Sequence, residues 1–285
     1  MSNQTQVEKA SCSDTLDVID DLVRSGKYEV PLLPEAAAQV ISICNDIDAT
    51  PLQIANCIKR DPSMAAHLLK VSNSSMYGCG TEIVSLQQAI ARLGINRIRE
   101  IALIVSCKTR VFSVPRYENE VRESFKRSLG AAVFGQEISR VRRRNVEDGF
   151  LSGLLHDIGT PVLLQAISDY ETENDIAFDR PTVLGKVNER RFDVAHGVIT
   201  AWNLPDRLGQ QISELGSSAI QDASQETQTL ILASVLSENL FAETPLAAEE
   251  ICQLEVTQLL NLYQEQIAEI LRKEDDAREL IGEAS

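Results

Sequence analysis

Helix-start signals recur along this chain while strand signals are almost absent, and this contrast constrains the fold more than any other sequence feature. Thr50-Pro51-Leu52-Gln53 combines a capping threonine, a proline at the first helical position and a glutamine that closes a capping box. Asp61-Pro62 repeats the cap and the proline, and Ser85-Leu86-Gln87-Gln88 repeats the capping box. No run of alternating β-branched and aromatic residues is bounded by turn dipeptides. The sequence therefore predicts an all-α protein.

The second half of the chain carries the longest helical pattern. Apolar residues recur at helical spacing from 117 to 144, and this segment ends in the basic run Arg140-Val141-Arg142-Arg143-Arg144. The next predicted helix carries Gly149, Gly153 and Gly159, which let neighbouring backbones approach closely. Four weaker predictions follow along the chain: an irregular charged stretch over 168–180, a linker-like stretch over 216–228, an amphipathic helix over 247–270 and a charged tail.

The acidic composition limits the partners that this chain is expected to bind. Its formal net charge is −15, and nucleic acid needs a basic face for its phosphates, so nucleic acid is not expected as the primary ligand. Anionic membranes are disfavoured for the same reason. The six cysteines form no CxxC pair, the N-terminus is polar, and no window approaches about 18 uninterrupted apolar residues. We therefore expect free thiols, no membrane span and a cytoplasmic location.

The pair His156-Asp157 is the main candidate for chemistry. It follows an apolar run and places an imidazole beside a carboxylate, so both could bind one divalent ion if other helices supplied further ligands. The chain has three histidines. His67 lies in the N-terminal part, which leaves His156, Asp157 and His196 as metal-ligand candidates, with Glu137 or Asp193 as an added carboxylate. The alternative is a structural pair, in which Asp157 accepts hydrogen bonds from helix-end amides and His156 bonds locally.

A series of short landmarks resembles the HDOD family, the HD-related output domain of bacterial signalling proteins. In chain order they are Leu32-Leu33-Pro34, Asp61-Pro62, Leu68-Leu69, Asn73-Ser74, Leu93-Gly94, Leu154-Leu155-His156-Asp157-Ile158-Gly159, His196-Gly197 and Trp202-Asn203-Leu204-Pro205. The resemblance implies an all-helical fold whose second half is similar to HD-type phosphohydrolases and HD-GYP phosphodiesterases. It implies these domains: a lead and helix over 1–27, an HDOD domain over 28–240 that divides into 28–112 and 113–240, and a C-terminal helix and tail over 241–285.

The chain departs from the ligand pattern that the resemblance implies. In approximate register, the early metal-binding histidine is replaced in a segment that contains Arg127 and Ser128, and the later aspartate is replaced by Ser234. Thr160 stands where HD-GYP proteins often have a lysine, and the segment 210–216 lacks the histidine pair of many HDOD members. The metal site is therefore expected to be degenerate. The segment 154–159 is expected to stabilise the conformation of a signalling domain and not to form an active site.

Three functions follow as hypotheses. The preferred one is a non-catalytic signalling module that binds a partner protein or a small ligand, with candidate contact residues Asn73, Tyr77, Arg127 and Ser234, and without a cofactor. The alternative is a metal-dependent phosphohydrolase that uses Fe, Mn or Zn on a nucleotide or a cyclic dinucleotide. A third is nucleic-acid binding through Arg140–Arg144, against which stands the interpretation of this run as a basic last turn that suits the helix dipole.

Overall fold

The structure, a computed structural model, describes the chain apart from residues 1–7, 10, 11, 27, 29, 31–34, 45, 47, 74–82, 111–113, 115, 218 and 285. Within these described ranges the regular elements are helices except for two short parallel strands, β1 (Glu8–Lys9) and β2 (Ile176–Ala177). The all-α prediction is confirmed. Tyr77 and the landmark Leu32-Leu33-Pro34 lie outside the described residues.

Two compact units make up the chain, and the smaller is formed mainly by residues 32–110. Its helices are α2 (Glu35–Cys44), α3 (Pro51–Ile58), α4 (Pro62–Ser72), α5 (Leu86–Leu93) and α6 (Ile95–Arg110). The capping box at Thr50 is confirmed, since Gln53 N donates to the Thr50 hydroxyl and Thr50 N donates to Gln53 Oε1. Asp61 caps α4 through Met64 N at 3.0 Å. The box at Ser85 is wrong: α5 begins at Leu86, but the Ser85 hydroxyl makes no cap bond.

The larger unit is formed by residues 1–31 and 111–281. Its first helices are α1 (Cys12–Ser25), α7 (Glu118–Val141), α8 (Val146–Leu155), α9 (Gly159–Asn174), α10 (Arg180–Ala201), α11 (Asp206–Ser217) and α12 (Gln225–Asn239). The core lies around α7, which packs against both α8 and α12 and buries Leu129, Phe134 and Ile138. Gly153 allows the contact of α7 with α8, because a Cβ there would overlap the backbone of Ala131.

The C-terminal part is more ordered than its composition suggests. The stretch 168–180 is mostly helix, since α9 continues to Asn174, and the linker-like stretch over 216–228 contains the start of α12, capped by Ser224. The single helix predicted over 247–270 is three helices, α13 (Ala248–Gln253), α14 (Glu255–Leu259) and α15 (Gln264–Leu271). The predicted charged tail is helix α16 (Glu274–Ala284). These segments fold because each buries a few apolar side chains, as α16 does with Ala277 and Leu280.

Two expectations from composition can be compared with the fold. One stretch of the described chain, Val146–Asn174, is long and apolar enough to cross a membrane, but it covers α8 and α9 and is mostly buried inside the protein. This burial is typical of core helices. The cysteines whose side chains the structure describes, Cys44, Cys57 and Cys252, are free thiols.

Candidate functional site

Asp157 lies in the short turn 156–158 between α8 and α9, and its side chain is completely buried. The turn is closed by hydrogen bonds from Ile158 N to Leu155 O and from Thr160 N to Asp157 O, each 3.1 Å long. A carboxylate in such a position is strongly destabilised unless charged or hydrogen-bonding groups compensate for the lost water.

Four side chains compensate for the burial of Asp157. Its Oδ1 accepts a hydrogen bond from the Thr160 hydroxyl at 2.6 Å and one from Arg191 at 3.0 Å. Its Oδ2 accepts a hydrogen bond from the Ser124 hydroxyl at 2.7 Å and lies 3.4 Å from a guanidinium nitrogen of Arg127. We call these five residues the Asp157 cluster. A carboxylate has about four acceptor positions, so this one is saturated.

The electrostatics of the cluster keep Asp157 ionised. Burial on its own raises the pKa of this carboxyl, but the positive charge of Arg191 and the hydrogen bonds from Thr160 and Ser124 outweigh burial and lower the pKa below its ordinary value. The expectation that helix-end amides would bind Asp157 is wrong, because side chains from α7, α9 and α10 occupy its carboxylate oxygens.

Local geometry explains how these side chains converge. Ser124 and Arg127 are three residues apart on α7, and this spacing places both on the same helix face. Arg191 lies on α10, whose backbone passes very close to Gly159. A Cβ at Gly159 would overlap the carbonyl oxygen of Arg191, so the glycine of the His-Asp-Ile-Gly motif is what allows α10 to approach the turn.

His156 is buried and bonded to its own helix. Its Nδ1 lies 2.7 Å from the carbonyl oxygen of Gly153, and because a carbonyl can only accept, Nδ1 carries the proton and Nε2 does not. Burial is the main cause that lowers the pKa of His156, although Asp157 and the Gly153 carbonyl act in the opposite direction. His156 is therefore a neutral imidazole at neutral pH. Its tautomer is the one found in many metal-ligating histidines.

The donor set does not fit a divalent ion at Asp157. The carboxylate oxygens are already occupied, and two of the occupants are guanidinium groups that repel a cation. Among the residues that the structure describes, no group of three or more histidine, cysteine, aspartate or glutamate side chains is placed to hold a metal.

The other predicted ligands have partners elsewhere in the larger unit. His196 lies on α10, with Nδ1 2.9 Å from the Ser213 hydroxyl and Nε2 3.5 Å from Asp206 Oδ1, so it joins α10 to α11. Glu137 is paired with Arg140, and Asp193 lies 3.8 Å from Arg190.

The predicted contact residues whose structure is described divide between the two units. Arg127 belongs to the Asp157 cluster, whereas Ser234 donates its hydroxyl to Leu230 O of its own helix. Asn73 is in the smaller unit, where its side chain accepts a hydrogen bond from Ile83 N at 2.7 Å and donates one to Ile83 O at 2.8 Å. Asn73 thus links the C-terminal end of α4 to the backbone of Ile83.

Sequence reasoning assigned no site role to three members of the cluster, Ser124, Thr160 and Arg191. The three-residue spacing of Ser124 and Arg127 on a predicted helix was a usable signal for Ser124. Arg191 is 34 positions from Asp157, and nothing local to it points to the turn. Arg127 and Arg191 also line a cavity of about 270 Å³ with Asn119, Asn188 and Thr160 among its other walls.

Comparison with known proteins shows the family of the chain. Residues 30–216 match the model of the HDOD domain, and this is more than half of the chain. The chain belongs to the HDOD family. An uncharacterized protein of Treponema pallidum (strain Nichols) is 24% identical over 217 residues, which are 71% of this HDOD protein and 39% of that relative. The chain therefore spans well under half of the length of this curated relative.

Solved structures show the same HDOD fold. A candidate metal-dependent phosphohydrolase from Shewanella amazonensis SB2B superposes with a TM-score of 0.68 at 17% identity, covering 91% of this chain and 98% of that one. An HDOD domain protein of unknown function from Geobacter sulfurreducens gives 0.67 at 16% identity, with coverage of 96% and 99%. A candidate signal transduction protein from Marinobacter aquaeolei VT8 gives 0.62 at 18% identity, covering 99% of this chain and 68% of that one. At these identities the likeness concerns the fold alone.

Proposed function

We propose that this HDOD protein is a non-catalytic, cytoplasmic signal-transduction module that acts by binding a partner protein or a small ligand. One observation carries the proposal: both oxygens of the buried Asp157 carboxylate are taken by Ser124, Thr160, Arg127 and Arg191. In an HD-type hydrolase the corresponding aspartate would have to give its oxygens to a divalent ion.

Charge strengthens this conclusion. A divalent ion at Asp157 would displace at least one guanidinium group from the carboxylate and would still lie close to the other. Arg127 and Arg191 are partly exposed, with 34% and 24% of their side chains accessible, so their positive charge lies at the surface above the aspartate. The two arginines thus supply the positive charge that a metal ion would supply, but a guanidinium group does not activate a water for hydrolysis as a metal ion does.

The cluster has a structural consequence that suits a signalling protein. It ties together α7, the turn between α8 and α9, and α10, so that the positions of three elements depend on one buried charge. A partner that bound over Arg127 and Arg191 would act directly on this link.

Assays of phosphodiester hydrolysis test the proposal. The wild-type protein and Asp157→Asn would be incubated with Mn²⁺ and either bis-p-nitrophenyl phosphate or a cyclic dinucleotide. We expect no metal-dependent hydrolysis by either protein. Turnover by the wild type that disappears in Asp157→Asn, with the variant still folded by circular dichroism, would refute a non-catalytic role.

The alternative is a metal-dependent phosphohydrolase, and one observation favours it. The Nδ1–H of His156 is bound to a carbonyl, and this leaves Nε2 with its lone pair, as in metal-ligating histidines. A relative of the same fold is also named as a candidate metal-dependent phosphohydrolase. The same assay decides between the two functions.

A further inference from the structure

A second cavity lies in the larger unit, apart from the Asp157 cluster. Its volume is about 360 Å³, and it is enclosed by the C-terminal end of α7, the N-terminal end of α8, α11 and the start of α12. Three arginines face it: Arg142, Arg144 and Arg207. We call it the arginine pocket. It contains part of the basic run Arg140–Arg144, for which the sequence leaves two interpretations: nucleic-acid binding, or a basic last turn that suits the helix dipole.

Part of the run is a solvated last turn, since Arg140 lies in the last turn of α7 and is exposed, as are Arg143 and Arg144, whereas Arg142 is half-buried. α7 ends at Val141, and Arg143 has a positive φ of 55°, so the chain leaves the helix here before α8 begins at Val146. Arg142 and Arg144 both donate to Gln225 Oε1, at 2.9 and 2.6 Å. Arg142 also donates to the Thr229 hydroxyl at 3.0 Å. Two guanidinium groups therefore converge on one neutral oxygen atom.

The pocket is lined by three arginines and three carboxylates, so its formal charges balance, but only one of these arginines forms an ion pair with one of the carboxylates. Arg207 is neutralised by Asp148 through two hydrogen bonds of 2.7 and 2.8 Å. Within the part of the chain that the structure describes, neither Arg142 nor Arg144 forms an ion pair. Two other carboxylates face the cavity: Glu214 is held by Ser224 and Thr227, and Glu226 is solvent-exposed.

The pKa of Arg142 agrees with this arrangement. Burial is the main cause that lowers it, the neighbouring charge of Arg144 lowers it further, and Glu226 offsets only part of the effect. An anion bound between the two guanidinium groups would compensate for the lost hydration of Arg142 and for the repulsion between Arg142 and Arg144.

We propose that the arginine pocket binds a small phosphorylated molecule whose phosphate bridges Arg142 and Arg144 in place of Gln225. Guanidinium groups bind phosphate oxygens through paired, charge-assisted hydrogen bonds, and two of them side by side match the charge of one phosphate. The volume lies at the lower end of the range for small-molecule pockets, about 300–1,000 Å³, and fits a nucleoside monophosphate rather than a macromolecule. The uncharged polar residues Gln210, Gln211, Ser139 and Ser152 are also among the lining residues.

Titration calorimetry with inorganic pyrophosphate and with AMP tests this inference. Arg142→Gln and Arg144→Gln each remove one charge from the pocket, while Arg143→Gln removes the same charge from the exposed neighbour that does not line it. We expect the wild type and Arg143→Gln to bind at least one probe equally well. Each pocket variant should weaken that binding by about tenfold or more, as expected for a lost charge-assisted contact.

Three outcomes would overturn the inference. They are failure of the wild type to bind either probe, equal weakening by Arg143→Gln, which would indicate general surface attraction, and binding of a short DNA duplex more tightly than of both probes. The inference rests on the small-ligand form of the proposed function and names the ligand class. The Asp157 cluster shares no residue with the pocket, so failure of binding here leaves the result of the hydrolysis assay unchanged and can be distinguished from it.

Discussion

At the scale of single residues, the chemistry of the turn between α8 and α9 depends on which groups hold the proton and the charge. His156 is neutral because it is buried, and Asp157 is ionised because arginines and hydroxyls surround it. The two residues therefore form no charged pair at neutral pH, although they are adjacent in the sequence. Their environments push both pKa values downward, and this makes the stability of the fold sensitive to acid.

The pH dependence of unfolding follows from these directions. Because the pKa of His156 is below 6.5 in the folded state, the unfolded chain takes up a proton first as the pH falls below 6.5, and stability is lost from there toward the folded pKa. Asp157 adds a further loss below about pH 3.8. Urea unfolding between pH 7 and pH 5 should show stability falling by up to about 1.4 kcal/mol per pH unit from this one group. In His156→Asn the slope should be smaller, and an unchanged slope would contradict the assignment.

At the scale of helices, the sequence predicts what is local and misses what depends on crossing elements. Thr50 and Asp61 start helices as predicted because each cap needs only its own next three residues. Arg191 was missed because its contact with Asp157 requires α10 to pass over Gly159. The sequence predicts a single helix in place of α13 to α15 and a tail in place of α16. The reason is that a short helix is stabilised by the apolar surface it covers, while its own periodicity is weak.

A pair of glycine substitutions tests the role of this crossing. Gly159→Ala places a Cβ against the backbone of Arg191 and should cost about 2 kcal/mol through overpacking. Gly185→Ala is the matched control on α10, since a Cβ there meets nothing within 4 Å, and the better helix propensity should add about 0.5 kcal/mol. Thermal and urea unfolding of both variants give the comparison. Equal effects of the two substitutions would show that the approach of α10 is not limited by Gly159.

At the scale of the whole molecule, the net charge does not show how the charged residues are distributed over the surface. The value of −15 argues against anionic partners in general. The larger unit nevertheless gathers Arg142, Arg144 and Arg207 around one cavity and Arg127 and Arg191 around another, each set together with an equal number of carboxylates. The HDOD landmarks predicted the family and the all-helical fold, because both are carried by ordered short motifs. They also predict Asp157 as a site residue. They do not predict that Arg127 and Arg191 bind its carboxylate, since a family motif does not show which side chains take the place of missing metal ligands.

The central claim is that arginines, and not a metal, compensate the buried charge of Asp157. The most direct test is urea unfolding of the wild type and Asp157→Asn, each measured with EDTA and with excess Mn²⁺. The account predicts that the variant is less stable by about 3 kcal/mol, as for other buried ion pairs that lose one partner, and that neither additive changes the stability of either protein. A wild type that EDTA destabilises to the level of Asp157→Asn, and that Mn²⁺ restores, would contradict the claim.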